Sequence, residues 1–222
     1  MTKQTKILIA SIAFLLVSAF EIYAVATHNL NIEMIFKPLL MTTLAVIYLF
    51  SVKKPSFWFL SALFFSFWGD VFLLFKDKFF VFGLASFLLA HVLYIKITAG
   101  FLKKESFGKI AIASVPFVIY LLGLLFLIKD NLGDMLIPVI VYGITISSFG
   151  AVALLNYMSN KSTANLWLFL GAIIFITSDS LIAINRFYES KAMYGIIIMV
   201  TYIVAQYLIT KAMIVKTQQG EL

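Results

Sequence analysis

Eight long apolar stretches constrain this chain more than any other feature of its sequence. They cover residues 7–27, 34–52, 57–75, 79–101, 108–128, 134–157, 165–186 and 192–215. Each is close to the about 20 apolar residues that an α-helix needs to cross a bilayer. The gaps between them are short and polar, as in Lys53-Lys54-Pro55. We therefore predict an all-α, polytopic membrane protein, with one integral membrane domain over residues 1–222 built as an eight-helix transmembrane bundle.

The composition excludes several classes of protein. Apolar residues make up 63% and charged residues 12%, whereas a soluble domain has about 45–50% and about 25%. The absence of cysteine excludes disulfides, thiolate metal sites and cysteine nucleophiles, and two histidines leave little for an imidazole-rich site. We therefore predict neither a metal nor a cofactor. The net charge of +7 lies in the short gaps, which is typical of cationic membrane loops and not of nucleic-acid binding.

The distribution of lysine predicts the orientation in the membrane. With the N-terminus inside, the inner loops hold Lys53, Lys54, Lys103 and Lys104, and the outer loops hold most of the acidic residues. Positive charge concentrates on the cytoplasmic side of membrane proteins. We predict an integral protein of the cell (cytoplasmic) membrane with both termini in the cytoplasm.

Two aspartates within the apolar stretches indicate a polar site in the bundle. Asp70 lies five residues before the end of the third stretch, and Asp179 lies seven residues before the end of the seventh. Both stretches run outward in the predicted orientation, so the two carboxylates lie within roughly 3 Å of the same depth. Inserting a charged side chain at the centre of a membrane helix costs about 2.5–3.5 kcal/mol of free energy on insertion scales. An aspartate at such a position therefore indicates a structural or functional role. The alternative is structural: each aspartate forms a hydrogen bond to a neighbouring helix or pairs with a lysine, or Arg186 reaches Asp179.

Three other ionisable residues lie in or near the stretches. His91 fits a satisfied core histidine, a headgroup ligand or a proton relay equally well. A zinc site built from His91, Asp70 and Asp179 has no supporting sequence spacing. Glu21 and Lys96 are predicted to snorkel toward the membrane surface.

The fourth and eighth stretches share a pattern that indicates a possible parallel internal repeat. Each follows an aspartate-bearing outward stretch, and their small and aromatic residues have the same offsets. The paired positions are Gly83 with Gly195, Phe87 with Met199, Ala90 with Tyr202 and Tyr94 with Gln206.

Several motifs between about residue 37 and residue 210 occur in a specific order. They are Lys37-Pro38, Gly69-Asp70, Gly83 with Phe87, His91 and Tyr94, Pro138 with Tyr142, Ser178-Asp179-Ser180 through Asn185-Arg186, and Tyr202 with Gln206-Tyr207. This order resembles the YhhN-type membrane proteins, which include the animal lysoplasmalogenases. The resemblance implies an eight-helix membrane enzyme that hydrolyses the vinyl-ether bond of a lysoplasmalogen or a related lysolipid. The implied products are a fatty aldehyde and a glycerophospho-alcohol, and the implied partners are a lysophospholipid substrate and membrane lipid.

The implied chemistry fits the two aspartates. Vinyl ethers hydrolyse by acid catalysis through an oxocarbenium ion, which calls for a protonated acid and an anion that stabilises the cation or activates water. Asp70 and Asp179 are therefore the candidate catalytic pair, in a division of labour similar to that of glycosidases. The predicted substrate-binding residues are Lys37, His91, Tyr94, Tyr142, Asn185, Tyr202 and Gln206.

Two other functions remain open from the sequence. Buried carboxylates in repeated half-bundles are also typical of proton-coupled transporters, here of a small amphipathic solute. A lipid-binding or structural membrane protein is the other alternative. The sequence leaves the headgroup, the oligomeric state and the identity of the general acid undetermined.

Overall fold

The computed structural model describes the backbone of residues 1–222 and every side chain except those of Lys76 and Asp77. Its long helices are α1 (Lys3–Ala26), α2 (Leu30–Ser51), α3 (Phe57–Leu74), α4 (Lys76–Gly100), α5 (Phe107–Ile128), α6 (Leu136–Ser159), α7 (Thr163–Phe187) and α8 (Ala192–Gln218). Two short 3₁₀ turns, Lys129–Asn131 and Gly133–Met135, join α5 to α6.

The helix boundaries follow local capping chemistry. The side chains of Thr2, Asn29, Ser106 and Ser162 each accept a hydrogen bond from a backbone N–H in the first turn of α1, α2, α5 and α7, which satisfies a donor that the helix itself leaves free. Within α4, Phe79 has non-helical backbone angles (φ −119°, ψ 17°), so the helix kinks there. The predicted fourth stretch, which begins at residue 79, corresponds to the part of α4 after this kink.

The helices pack mainly in pairs that are consecutive along the chain. The pairs α1–α2, α3–α4 and α7–α8 make the most extensive contacts, α8 also touches α1 and α2, and α4 packs on α6. Helix α5 is peripheral, because only 11% of its most apolar segment is buried, and it lies mainly against α6. Its exposed apolar side chains suit contact with lipid.

Glycines permit the closest helix contacts at the site. A Cβ atom at Gly69 would lie 2.5 Å from the ring of Phe87, so α3 and α4 approach each other through this glycine. The same contact fixes the position of Asp70, the residue that follows Gly69.

The described part of the chain confirms the predicted all-α membrane bundle, with eight helices long and apolar enough to span a bilayer. The internal repeat stays a prediction. Tyr94 and Gln206, which occupy paired positions of the two copies, meet in the interior through a hydrogen bond of 2.9 Å.

Candidate active site

A cavity of about 480 Å³ opens at the end of the bundle where α1 meets α2 and α7 meets α8. Its rim includes His28 and Ser190 from those two loops. Charged and amide side chains line it further in, namely Glu33, Lys37, Asn185 and Arg186. The remaining lining is mostly apolar, so the cavity has the composition of a site for an amphipathic molecule.

Lys37 is the cation that faces two acidic side chains at this cavity. Its Nζ lies 3.8 Å from Glu21 Oε1 and 3.9 Å from Glu33 Oε2. Glu21 is 0% exposed, and neither of its carboxylate oxygens has a hydrogen-bond partner among the described groups. The prediction that Glu21 snorkels is therefore wrong. The physical reason is that Lys37, one helix away, gives the carboxylate an opposite charge inside the bundle.

Asp70 is held from across the bundle by a tyrosine. The Tyr202 hydroxyl on α8 donates to Asp70 Oδ2 on α3 at 2.8 Å, and Asp70 is only 2% exposed. Asp70 therefore lies in the interior with a fixed hydrogen-bond donor.

Asp179 has the same arrangement with a different tyrosine. The Tyr142 hydroxyl on α6 donates a short hydrogen bond to Asp179 Oδ2 on α7. Asp179 is half-buried and lines two small cavities, of about 50 Å³ and about 40 Å³. The 480 Å³ cavity at the α1–α2 and α7–α8 loops, the large cavity, shares Leu73, Phe80 and Ile182 with the cavity of about 50 Å³. The two spaces are therefore neighbours.

Aromatic rings fill the space between the two tyrosine–aspartate pairs. The ring centroid of Tyr202 lies 5.8 Å from that of Phe87 and 5.5 Å from that of Phe175. Phe175 in turn lies 4.6 Å from His91, whose ring is 5.6 Å from Tyr142. The two carboxylates thus share one aromatic interior and do not open into a single wide polar pocket.

His91 is enclosed in this interior. It is 0% exposed, and its Nδ1 lies 2.7 Å from the carbonyl oxygen of Phe87. Because a carbonyl only accepts, Nδ1 carries the proton and donates. Nε2 is buried without a partner among the described groups.

The other predicted substrate-binding residues divide into two groups. Tyr94 donates to Gln206 Oε1, and Gln206 Nε2 donates to Ser66 Oγ at 3.1 Å, one turn before Asp70. This network is buried and supports the helices around Asp70. Asn185 instead lines the large cavity, where its Oδ1 accepts the backbone N–H of Lys191 at 3.1 Å.

Arg186 does not pair with Asp179, whereas the two tyrosine–aspartate hydrogen bonds are the helix-to-helix contacts of the structural alternative, which stays open. The Arg186 guanidinium stacks on the Phe80 ring, 3.9 Å from the centroid, at the wall of the large cavity. Sequence reasoning did not include Arg186, Glu21 or Glu33 among the site residues. The signal that pointed to Glu21 was its position inside an apolar stretch.

Comparison with known proteins identifies the family. A model of the YhhN family matches residues 32–213. The chain belongs to the YhhN family. This confirms the resemblance drawn from the motif order, and together with the apolar helices it makes the chain an integral membrane protein.

Curated relatives carry the name lysoplasmalogenase. Two of them, from Mycobacterium bovis (strain ATCC BAA-935 / AF2122/97) and Mycobacterium tuberculosis (strain CDC 1551 / Oshkosh), are each 35% identical to the chain over 135 residues. The match covers 59% of this chain and 49% of each relative, so the chain spans about half the length of the curated relatives it matches. No solved structure matches the chain.

Proposed function

We propose that this YhhN-family chain hydrolyses the vinyl-ether bond of a lysoplasmalogen, releasing a fatty aldehyde and a glycerophospho-alcohol. The observation that carries the proposal is the pair of interior aspartates, Asp70 and Asp179, each fixed by a tyrosine hydroxyl from another helix. The name of the mycobacterial relatives supports the same activity.

The proposed mechanism uses one aspartate as an acid and the other as a base. The acid transfers its proton to the β-carbon of the vinyl ether, which leaves an oxocarbenium ion. The ionised carboxylate stabilises this cation and accepts a proton from the water that attacks it. The resulting hemiacetal collapses to the aldehyde and the alcohol when its ether oxygen is protonated and its hydroxyl proton passes to the carboxylate that acted as the acid. A positioned acid or base contributes roughly 100- to 10,000-fold to such a rate.

The large cavity is the proposed entrance for the lysolipid. Lys37 and Arg186 are the cations at this cavity that suit a phosphate group, and Asn185 suits a glycerol hydroxyl. The apolar side chains of Leu73, Phe80 and Ile182 lead from there toward Asp179. This arrangement brings the vinyl-ether bond, which lies between headgroup and chain, toward Asp179.

The proposed location is the cytoplasmic membrane, with residues 1–222 as one integral membrane domain and both termini in the cytoplasm. The cavity lies at the end of the bundle that holds the α1–α2 and α7–α8 loops. In this orientation the lysolipid enters from the outer side.

The test is aldehyde release from a lysoplasmalogen by the purified protein in detergent, compared with Asp70→Asn and Asp179→Asn. Asparagine keeps the side-chain shape and removes the proton that can be transferred. We expect the activity of each variant to be about 100- to 10,000-fold lower than that of the wild type. We expect both to remain folded, because replacing a buried carboxylate by an amide lowers its desolvation cost.

Asp130→Asn is the matched control, since Asp130 is exposed in the turn after α5 and should keep full activity. Activity is expressed per folded molecule, so that loss of fold and loss of chemistry are distinguished. A wild-type protein that releases no aldehyde, but moves an amphipathic solute across vesicles, would favour a transporter. Full activity in either aspartate variant would exclude the two-carboxylate mechanism.

A further inference from the structure

The smaller cavity beside Asp179 has polar groups that the proposed mechanism has not used. It has a volume of about 40 Å³ and lies between α5, α6 and α7. Four oxygen-bearing side chains face it along with Asp179, namely those of Tyr120, Tyr142, Ser147 and Ser180. The remaining lining is mostly leucine, isoleucine, valine and alanine.

Ser147 stands apart from the neighbouring hydroxyl residues. Thr145 and Ser148 on the same helix donate to the backbone carbonyls of Val141 and Ile144, at 2.9 Å and 2.7 Å. Ser180 does the same with Ile176. The Oγ of Ser147 is buried and has no partner among the described groups. It is therefore available to a molecule in the cavity.

Tyr120 supplies a second hydroxyl of this kind. Its OH is buried and without a partner among the described groups, and Tyr120 lines the same cavity as Asp179. Buried hydroxyls are paired in most proteins, because leaving one unpaired costs free energy. Two such hydroxyls beside one carboxylate therefore call for a small polar molecule as their partner.

We propose that this cavity holds the water that attacks the substrate, with Tyr120 and Ser147 as positioning residues and Asp179 as the base. The inference rests on the proposed vinyl-ether hydrolysis. A water needs roughly 10–15 Å³ of accessible space and two to four polar partners. The cavity has the space, and the two hydroxyls and the carboxylate are the partners.

The water oxygen forms a bond to the carbon of the oxocarbenium ion that carries the ether oxygen, and the C=O⁺ π electrons move onto that oxygen. One water proton passes to the Asp179 carboxylate. The products of the step are the neutral hemiacetal and a protonated Asp179, which can return the proton to the ether oxygen as the hemiacetal collapses. The inference thereby assigns the first proton transfer, to the β-carbon, to Asp70.

The kinetic experiment compares Tyr120→Phe and Ser147→Ala with Ser148→Ala as the matched control. Tyr120→Phe and Ser147→Ala each remove one hydroxyl group that hydrogen-bonds to the water. Both leave the cavity that admits the lysolipid unchanged. We expect kcat to fall about tenfold in each, with KM unchanged, because one hydrogen bond to a reactant is worth about that factor. Ser148→Ala should behave as wild type. A parallel fall in Ser148→Ala, or unchanged kcat in both Tyr120→Phe and Ser147→Ala, would overturn the inference.

A structural experiment tests the water independently of activity. An electron-microscopy map that resolves waters should contain a peak within about 3 Å of both hydroxyls in the wild type, and this peak should be lost in the Tyr120→Phe/Ser147→Ala double variant. Absence of the peak in the wild type would overturn the inference even if aldehyde is released. A wild type that has the peak but releases no aldehyde would overturn the proposed hydrolysis instead.

Discussion

At the scale of single residues, Lys37 takes part in several electrostatic interactions. It is the charge partner of the buried Glu21, it faces Glu33, and it lines the large cavity. Its side chain is only 13% exposed, so water screens these interactions weakly. We therefore expect replacement of Lys37 to affect both the stability of the bundle and the binding of an anionic headgroup.

These two effects can be separated by a second substitution. Lys37→Met should raise KM for the lysolipid about tenfold to a hundredfold, because a hydrogen bond to a charged group is worth about 1.5–3 kcal/mol. It should also lower the melting temperature, since Glu21 is left as an uncompensated buried charge. Adding Glu21→Gln should restore the melting temperature and leave KM high.

The measurements are steady-state kinetics and thermal unfolding in detergent. Lys54→Met, at an exposed loop position, is the control and should change neither quantity. If the double variant recovered a normal KM, the role of Lys37 in headgroup binding would be excluded.

At the scale of elements, the contact between α3 and α4 sets the position of Asp70. Gly69→Ala would bring a methyl group to 2.5 Å from the Phe87 ring. We expect the variant to lose about 1–3 kcal/mol of stability, because overpacking a dense interior displaces side chains or backbone. Gly123→Ala on α5, where a Cβ meets nothing within 4 Å, should be neutral or stabilise by up to about 1 kcal/mol.

Unfolding in denaturing detergent measures both variants. The comparison isolates packing, since both glycines lie within helices and receive the same methyl group. Equal stability of the two variants would mean that the α3–α4 contact relaxes without cost.

The sequence predicts the elements better than their contacts, for a physical reason. Length and apolarity alone define a membrane helix, so the helices containing Asp70 and Asp179 follow directly from composition. A helix that is apolar on all sides carries little information about which face meets which neighbour. Three features depend on how each helix is rotated about its own axis: the pairing of Asp70 with Tyr202, the burial of Glu21 and the free hydroxyl of Ser147. They become visible only when the helices are packed.

At the scale of the whole molecule, the membrane orientation is the property that connects the cavity to its substrate. The loops that hold Lys53, Lys54, Lys103 and Lys104 lie at the end of the bundle opposite the large cavity. Because lysine-rich loops stay in the cytoplasm, we predict that the cavity faces outward.

Reporter fusions test this orientation. Fusions at Lys53 and at Leu222 should both report the cytoplasm, and a fusion at Asp130, in the turn between α5 and α6, should report the outside. A fusion at Leu222 that reports the outside would contradict the topology. The aspartate pair would keep its geometry in that case, but the lysolipid would enter from the cytoplasm.

The tyrosine that holds Asp70 also has a consequence for biosynthesis. Tyr202 lies 132 residues after Asp70 and belongs to α8, which is made after the other seven described helices. While the ribosome is still synthesising the middle of the chain, Asp70 is already in the membrane without this donor. Asp70 therefore gains its hydrogen-bond donor only when α8 has inserted and docked, so under the proposed function we expect a truncated or stalled chain to be inert toward the lipids around it.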